Sequence, residues 1–201
     1  MMTAAPHSSS LHLQTPTPLY SARVLLCTME AVKRFFSSPR FAVAGASNDS
    51  HKFGYKRTSP KPGSRCGLHT DSVLVLAWYH QHSLPVTPLN PRSPSIQLSP
   101  SHSYDTVASP RLLSSPSQTS LSVVTPPAVT LPLLQEAHSA GIPAVWLQPG
   151  TFDNAVLDFA RSHFEAVVAG DGGRGSEGWC VLVDGEEGLE AAGVNWTSQR
   201  L

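Results

Sequence analysis

Phe41–Lys56 reads FAVAGASNDSHKFGYK. Its opening apolar run closes on Gly45, the pattern of a short strand buried on both faces that leads into a glycine turn. The turn departs from the GxGxxG spacing that lets backbone approach a pyrophosphate, because the next glycine after Gly45-Ala46-Ser47 is Gly54. Ser47 still offers a hydroxyl, and amides at a helix start favour an anion. A phosphate site and a plain strand-to-helix turn both fit this turn taken alone. His51 beside it fits a solvated loop histidine or a helper at such an anion.

Further strands and helices follow. Upstream, TMEAVKRFF predicts a short helix capped by Thr28, with Val32, Phe35 and Phe36 on one face. Downstream, LPVT predicts a strand over Pro85–Leu89, and SLSVV one over Leu121–Val124. AVTLPLLQEAHSAG reads as a helix capped by Thr130, with Leu131, Leu134 and Ala137 buried, ended by Gly141. IPAVWL is a fourth strand. TFDNAVLDFARSHF is a helix with Phe152, Val156 and Ala160 on one face, and EAVVAG and WCVLVDG read as closing strands. The stretch between the second and third strands is loop-rich, with a helical turn near Tyr104–Ala108. Strands alternating with helices predict an α/β domain: a three-layer, doubly wound, mostly parallel sheet.

The chain has 201 residues, 40% hydrophobic and only 14% charged, with 18 prolines, so one domain is expected together with unpacked segments. Its net charge is zero and no basic run stands out, which argues against nucleic acid as a partner. The longest apolar run, Val73–Tyr79, is far short of a membrane span. Three cysteines without CxxC spacing support neither a disulfide framework nor a zinc site, and suggest a reducing, cytoplasmic setting. Residues 1–28 lack acidic side chains and hold Arg23 as their firm positive charge, so they read as a disordered tail or a weak mitochondrial targeting segment. Met29 is an alternative start. The domain is expected over 29–193, with a tail over 194–201. RTSPKPGSRCGLHTDS, Arg57–Ser72, is aperiodic and interrupts an expected helix beginning near Phe53, so it reads as a surface excursion or a retained intron. The sequence leaves room for a homodimer without arguing for one.

Ligands of such sheets lie beyond the carboxyl ends of the strands, where strand order reverses. The loops that would line that crevice are Gly45–Gly54, Asn90–Arg92, Thr125–Thr130 and Gln148–Thr151. LNPRS places Arg92, and no carboxylate, where NAD sites carry an acid. An arginine suits a phosphorylated ribose, which coenzyme A and NADP both carry; an exposed arginine in a turn fits equally. Pro126 and Pro127 after Thr125 supply a stiff apolar wall, and Gln148-Pro149-Gly150 repeats the arrangement one strand over with a polar contact.

Elsewhere His80 and His82 are two apart on a helix and point to different faces, unlike the pair of HExxH. Cys180 in its apolar run reads as a buried inert thiol, with a nucleophilic or redox role as the alternative. GDGGRGSEG lacks the ending of a P-loop and reads as a loop whose Arg174 could fold over a phosphate. No catalytic constellation and no metal site is recognised.

The ordered pieces FAVAGAS, KFGYK, LPVTPLNPRSP, SVVTPPAVT, GIPAVWLQPG and GWCVLVDG resemble the small stand-alone coenzyme A-binding domain proteins. These are similar to the cofactor domain of the succinyl-CoA synthetase alpha subunit. The resemblance covers about 41–56 and 73–185. It implies a Rossmann-like fold with phosphates near Gly45, Ala46 and Ser47, beside Phe53 and Gly54. It further implies a nucleotide end near Asn90, Pro91 and Arg92. The rest of the ligand would lie near Thr125, Pro126, Pro127, Gln148, Pro149 and Gly150. The expected function is binding of coenzyme A or an acyl-CoA without catalytic activity. An NADP-dependent oxidoreductase is the alternative, and an inactive mis-spliced product the third reading. The insert departs from the family pattern, because it breaks the helix whose start would support the anion.

Overall fold

The computed structural model describes residues 19–48, 72–170, 173–174 and 178–201, with side chains in the first helix from Thr28 onward. The second half of the insert's flank, Phe53 and Gly54 included, lies outside the described residues, as do 57–71 of the insert itself. A first helix, α1 (Leu19–Phe36), leads into β1 (Arg40–Ala44). Then come α2 (Ser72–Gln81), β2 (Val86–Leu89), and a separate antiparallel hairpin of β3 (Ser95–Ser99) and β4 (His102–Asp105). The chain continues through β5 (Thr119–Val123), α3 (Pro127–Ser139), β6 (Ala144–Leu147), α4 (Asn154–His163), β7 (Ala166–Val168) and α5 (Val181–Ala191).

The main sheet has the order β2-β1-β5-β6-β7, parallel throughout. From β1 the chain first moves outward to β2, then returns to the other side of β1 as β5 and continues to β7. Strand order therefore reverses between β1 and β5. Side-chain alternation divides the core into two layers. Phe41, Val43, Trp146 and Val168 face α1, α2 and α5; Ala42, Ala44, Leu121, Val123, Val145 and Leu147 face α3 and α4.

β5 places Ser120 and Ser122 on its α1/α2 side, both fully buried. Their hydroxyls are satisfied: Ser120 Oγ donates to Phe35 O at 2.7 Å, and Ser122 Oγ pairs with the Tyr79 hydroxyl at 2.7 Å. Burial pushes the Tyr79 phenol well above its ordinary value, and the Tyr104 phenol up as well. A phenol whose pKa is raised in the folded state leaves stability intact below its unfolded value of about 10. Above that pH the unfolded chain releases protons that the native one holds, and stability falls. Tyr79→Phe is expected to flatten the fall of the denaturant midpoint above about pH 10. At neutral pH it should cost about 1–2 kcal/mol, because it orphans Ser122.

Four local readings are corrected. Thr28 lies inside α1, which begins at Leu19. Thr130 is in the second turn of α3, because Pro126 and Pro127 already start that helix. Its hydroxyl instead bonds Thr125 O at 2.8 Å. Tyr104 belongs to strand β4, paired with Ile96, whose side chain is buried in the core. WCVLVDG is the start of a helix, not a strand: Val181, Gly185, Gly188 and Leu189 fall on one buried face at helical spacing. Asp184, nearly fully buried, accepts from Cys180 N at 2.9 Å and Arg174 N at 2.7 Å, which fixes the entry to α5. No described helix is long and apolar enough to cross a membrane.

Candidate functional site

The register aligns Ala44 with Leu89 and Val123, and Val123 with Leu147, so four strands end level. The ladder continues one residue beyond. Gly45 N donates to Leu89 O (3.2 Å), Val124 N to Ala44 O (3.0 Å) and Gln148 N to Val123 O (3.2 Å). The turns after β1, β2, β5 and β6 thus gather at one edge, where strand order reverses between β1 and β5. Gly45–Ser47, Asn90–Arg92, Thr125–Pro127 and Gln148–Gly150 all belong to it.

Gly45 holds φ +95°, a conformation that favours glycine. A β-carbon there would stand 2.8 Å from Thr125 Cγ2 and 3.2 Å from the Val124 carbonyl. Only hydrogen lets the β1 and β5 turns approach so closely. Asn90 ties the next corner: its Nδ2 donates to Ala46 O at 2.7 Å, while its Oδ1 accepts from Arg92 N at 2.8 Å. The Arg92 side chain is exposed, and its guanidinium has no ion-pair partner among the described residues. Ser47 N donates to Ser72 Oγ at 3.2 Å, which brings the first residue of α2 against the turn.

α3 contributes differently from a phosphate-binding helix. Pro126 and Pro127 at its start have no N–H to offer, and Val129 N and Thr130 N are bonded to Pro126 O. Pro126, Ala128 and Val129 are exposed. This corner presents apolar surface and few donors.

Gln148 is 0% exposed and its polar atoms can be accounted for one by one. Its N–H goes to Val123 O, its C=O accepts from Thr151 N (3.1 Å) and Thr151 Oγ1 (2.7 Å), and Oε1 accepts from Val181 N at 3.0 Å. Nε2 has no partner. Because an N–H donor faces the assigned Oε1, the opposite amide orientation is excluded.

Sequence reasoning missed Asn48, whose side chain ties the β1 turn to the β3–β4 hairpin through Ser95 O (3.1 Å) and Gln97 N (2.8 Å). Its signal was slight: an asparagine just beyond a glycine turn. The Arg174 guanidinium is held by α5, through Val183 O (3.0 Å) and Glu187 (3.1 Å). His80 bonds the Tyr104 hydroxyl, while His82 is stacked on Trp78 and bonded to Trp78 O. No group of three metal-ligating side chains occurs among the described residues. Cys180 is buried at the start of α5.

A family model for a CoA binding domain matches residues 67–172, more than half of the chain. The chain belongs to the CoA binding domain family. The matched segment runs from just before α2 to just beyond β7, and so includes three of the four corners. A hypothetical protein from Pyrococcus horikoshii OT3 superposes with a TM-score of 0.57 at 18% identity, over 88% of this chain and 99% of that one. A protein from Thermus thermophilus gives 0.50 at 23% identity, over 70% and 90%. Both show the Rossmann-like α/β fold. No curated protein matches the chain.

Proposed function

We propose that this chain binds coenzyme A or an acyl-CoA in the crevice between β1 and β5, as a binding module with no catalytic group of its own. One observation carries the reading: four strand ends of a CoA-binding family member stand level at the switch edge, where Arg92 is exposed and has no ion-pair partner among the described residues. The residues present fit the ligand. The diphosphate would lie against the β1 turn at Gly45, Ala46 and Ser47, and Arg92 supplies the cation for the ribose phosphate. Pro126 and Pro127 form an apolar wall for the arm. Bound coenzyme A would supply a thiol that carries acyl groups as thioesters; the protein's part is to bind and orient it.

Arg92 alone would serve the ribose phosphate of NADP equally well. The family match favours coenzyme A over that alternative. Arg92→Ala is expected to weaken coenzyme A about fivefold, the scale of an exposed ion pair. It should leave unchanged the affinity for the analogue that lacks the ribose phosphate, read by titration calorimetry. Equal loss for both ligands would contradict the placement of the nucleotide end.

A further inference from the structure

The parallel strands begin at the edge opposite the one where they end, and a cavity of about 250 Å³ opens at their starts. Arg40, Val86 and Thr119 are the first residues of β1, β2 and β5, and all three line it. The 5 residues of β1, at about 3.3 Å each, separate this edge from the Gly45 turn by roughly 16 Å. The cavity is therefore remote from the switch edge.

Its lining divides by chemistry. Leu84 and Leu113, each 8% exposed, give an apolar wall. Tyr104 adds a ring whose hydroxyl is held by His80 Nδ1 at 2.7 Å. Thr87 and Ser114 bring hydroxyls. Arg40 is exposed and makes no ion pair among the described residues. No aspartate or glutamate lines the cavity among the described residues, so its one formal charge is positive.

We propose that this cavity is a second ligand site, for a small organic monocarboxylate whose carboxylate pairs with Arg40 while its apolar body lies between Leu84, Tyr104 and Leu113. The proposal stands independently of the coenzyme A reading. A guanidinium fork matches a carboxylate with two parallel N–H···O bonds. One cation beside apolar walls disfavours phosphate or a dicarboxylate, whose second charge would lose water without gaining a partner. Size sets the rest. At about 30 Å³ for each water in the liquid, the cavity holds about eight water-sized groups, the bulk of a six-carbon acid.

The test titrates the labelled full chain with hexanoate, hexanol and inorganic phosphate, read by its backbone amide resonances. Hexanoate should saturably move the amides of Arg40, Phe41, Val86 and Ser114. Hexanol should bind about fivefold more weakly, the scale of an exposed ion pair. Arg40→Gln should lower hexanoate affinity to that of hexanol and change hexanol affinity by less than about twofold. Retained hexanol binding shows that the variant is folded; should it fail to fold, the wild-type comparison of the two ligands still decides. Equal affinity for hexanol and hexanoate, or phosphate that saturates the same amides as tightly, overturns the proposal. So does an Arg40→Gln chain that binds hexanoate as the wild type does. A wild-type chain without saturable shifts, or with shifts centred on Gly45, Asn90 and Gln148, overturns the site itself.

Discussion

Replacing Gly185 by alanine is expected to destabilise the protein by about 2–3 kcal/mol, as overpacking of a rigid core does. The sign is the informative part. In an exposed helix the same exchange stabilises by about 1 kcal/mol, because glycine is the poorer helix former. Here the added carbon would overlap the Trp78 ring at Cζ2 and lie 2.8 Å from Cη2. That ring cannot swing away. His82 stacks on it with centroids 4.0 Å apart, Tyr79 meets it edge-on at 5.2 Å, and Phe36 lies at 6.1 Å. Gly188 makes the same close approach to Phe36 (2.6 Å) and Val32 (2.7 Å), so α5 docks through a seam of two glycines. Glu190→Ala on the exposed side of the same helix should change stability by less than about 0.5 kcal/mol. Denaturant unfolding of the three variants checks the pattern, and a stabilising Gly185→Ala would show that α5 is not seated on Trp78. The seam bears on the site because the first amide of α5 holds the Gln148 side chain.

The largest effect on binding is expected from Gly45→Ala. Alanine at φ +95° is strained, and its β-carbon meets Thr125 Cγ2 at 2.8 Å and the Val124 carbonyl at 3.2 Å. Thr125 can turn, but the Val124 backbone is part of the ladder through its amide to Ala44 O. The β1 turn must therefore move, and a displacement of about 1 Å at a positioning element can cost about a hundredfold. Coenzyme A affinity should fall by that order. Gly193→Ala is the control: φ is +67°, so alanine is strained there too, but nothing lies within 4 Å of the added carbon. It should lower stability by about 1 kcal/mol or more and leave binding unchanged. Equal binding by Gly45→Ala and wild type would mean that the close approach of β1 and β5 does not shape the ligand site.

The parallel sheet was legible in the sequence because its strands are short segments rich in apolar residues, each followed within a few residues by glycine, proline or asparagine. α5 was not. Val181, Leu182 and Val183 imitate a buried strand, and the helix turns its glycines inward, where residues of low helix propensity conceal the period. Thr130 suits a cap, with Pro132 then in the first turn, but Pro126 and Pro127 ahead of it already start the helix. The β3–β4 hairpin carries few apolar residues besides Ile96 and Leu98, so its alternation is faint. At the site, residue positions could be read as strand ends, but their bonds could not. The Gln148–Val181 bond spans 33 residues and the Asn48–Gln97 bond 49, and no local pattern announces either.

The central claim is tested most directly by calorimetric titration of the full chain with coenzyme A, NADP and NAD under one set of conditions. Saturable binding of coenzyme A, with NADP and NAD each at least about tenfold weaker, is the predicted result, since a tenfold ratio needs only about 1.4 kcal/mol of extra contact from the arm. Preference for NADP, or no heat with coenzyme A, would contradict it.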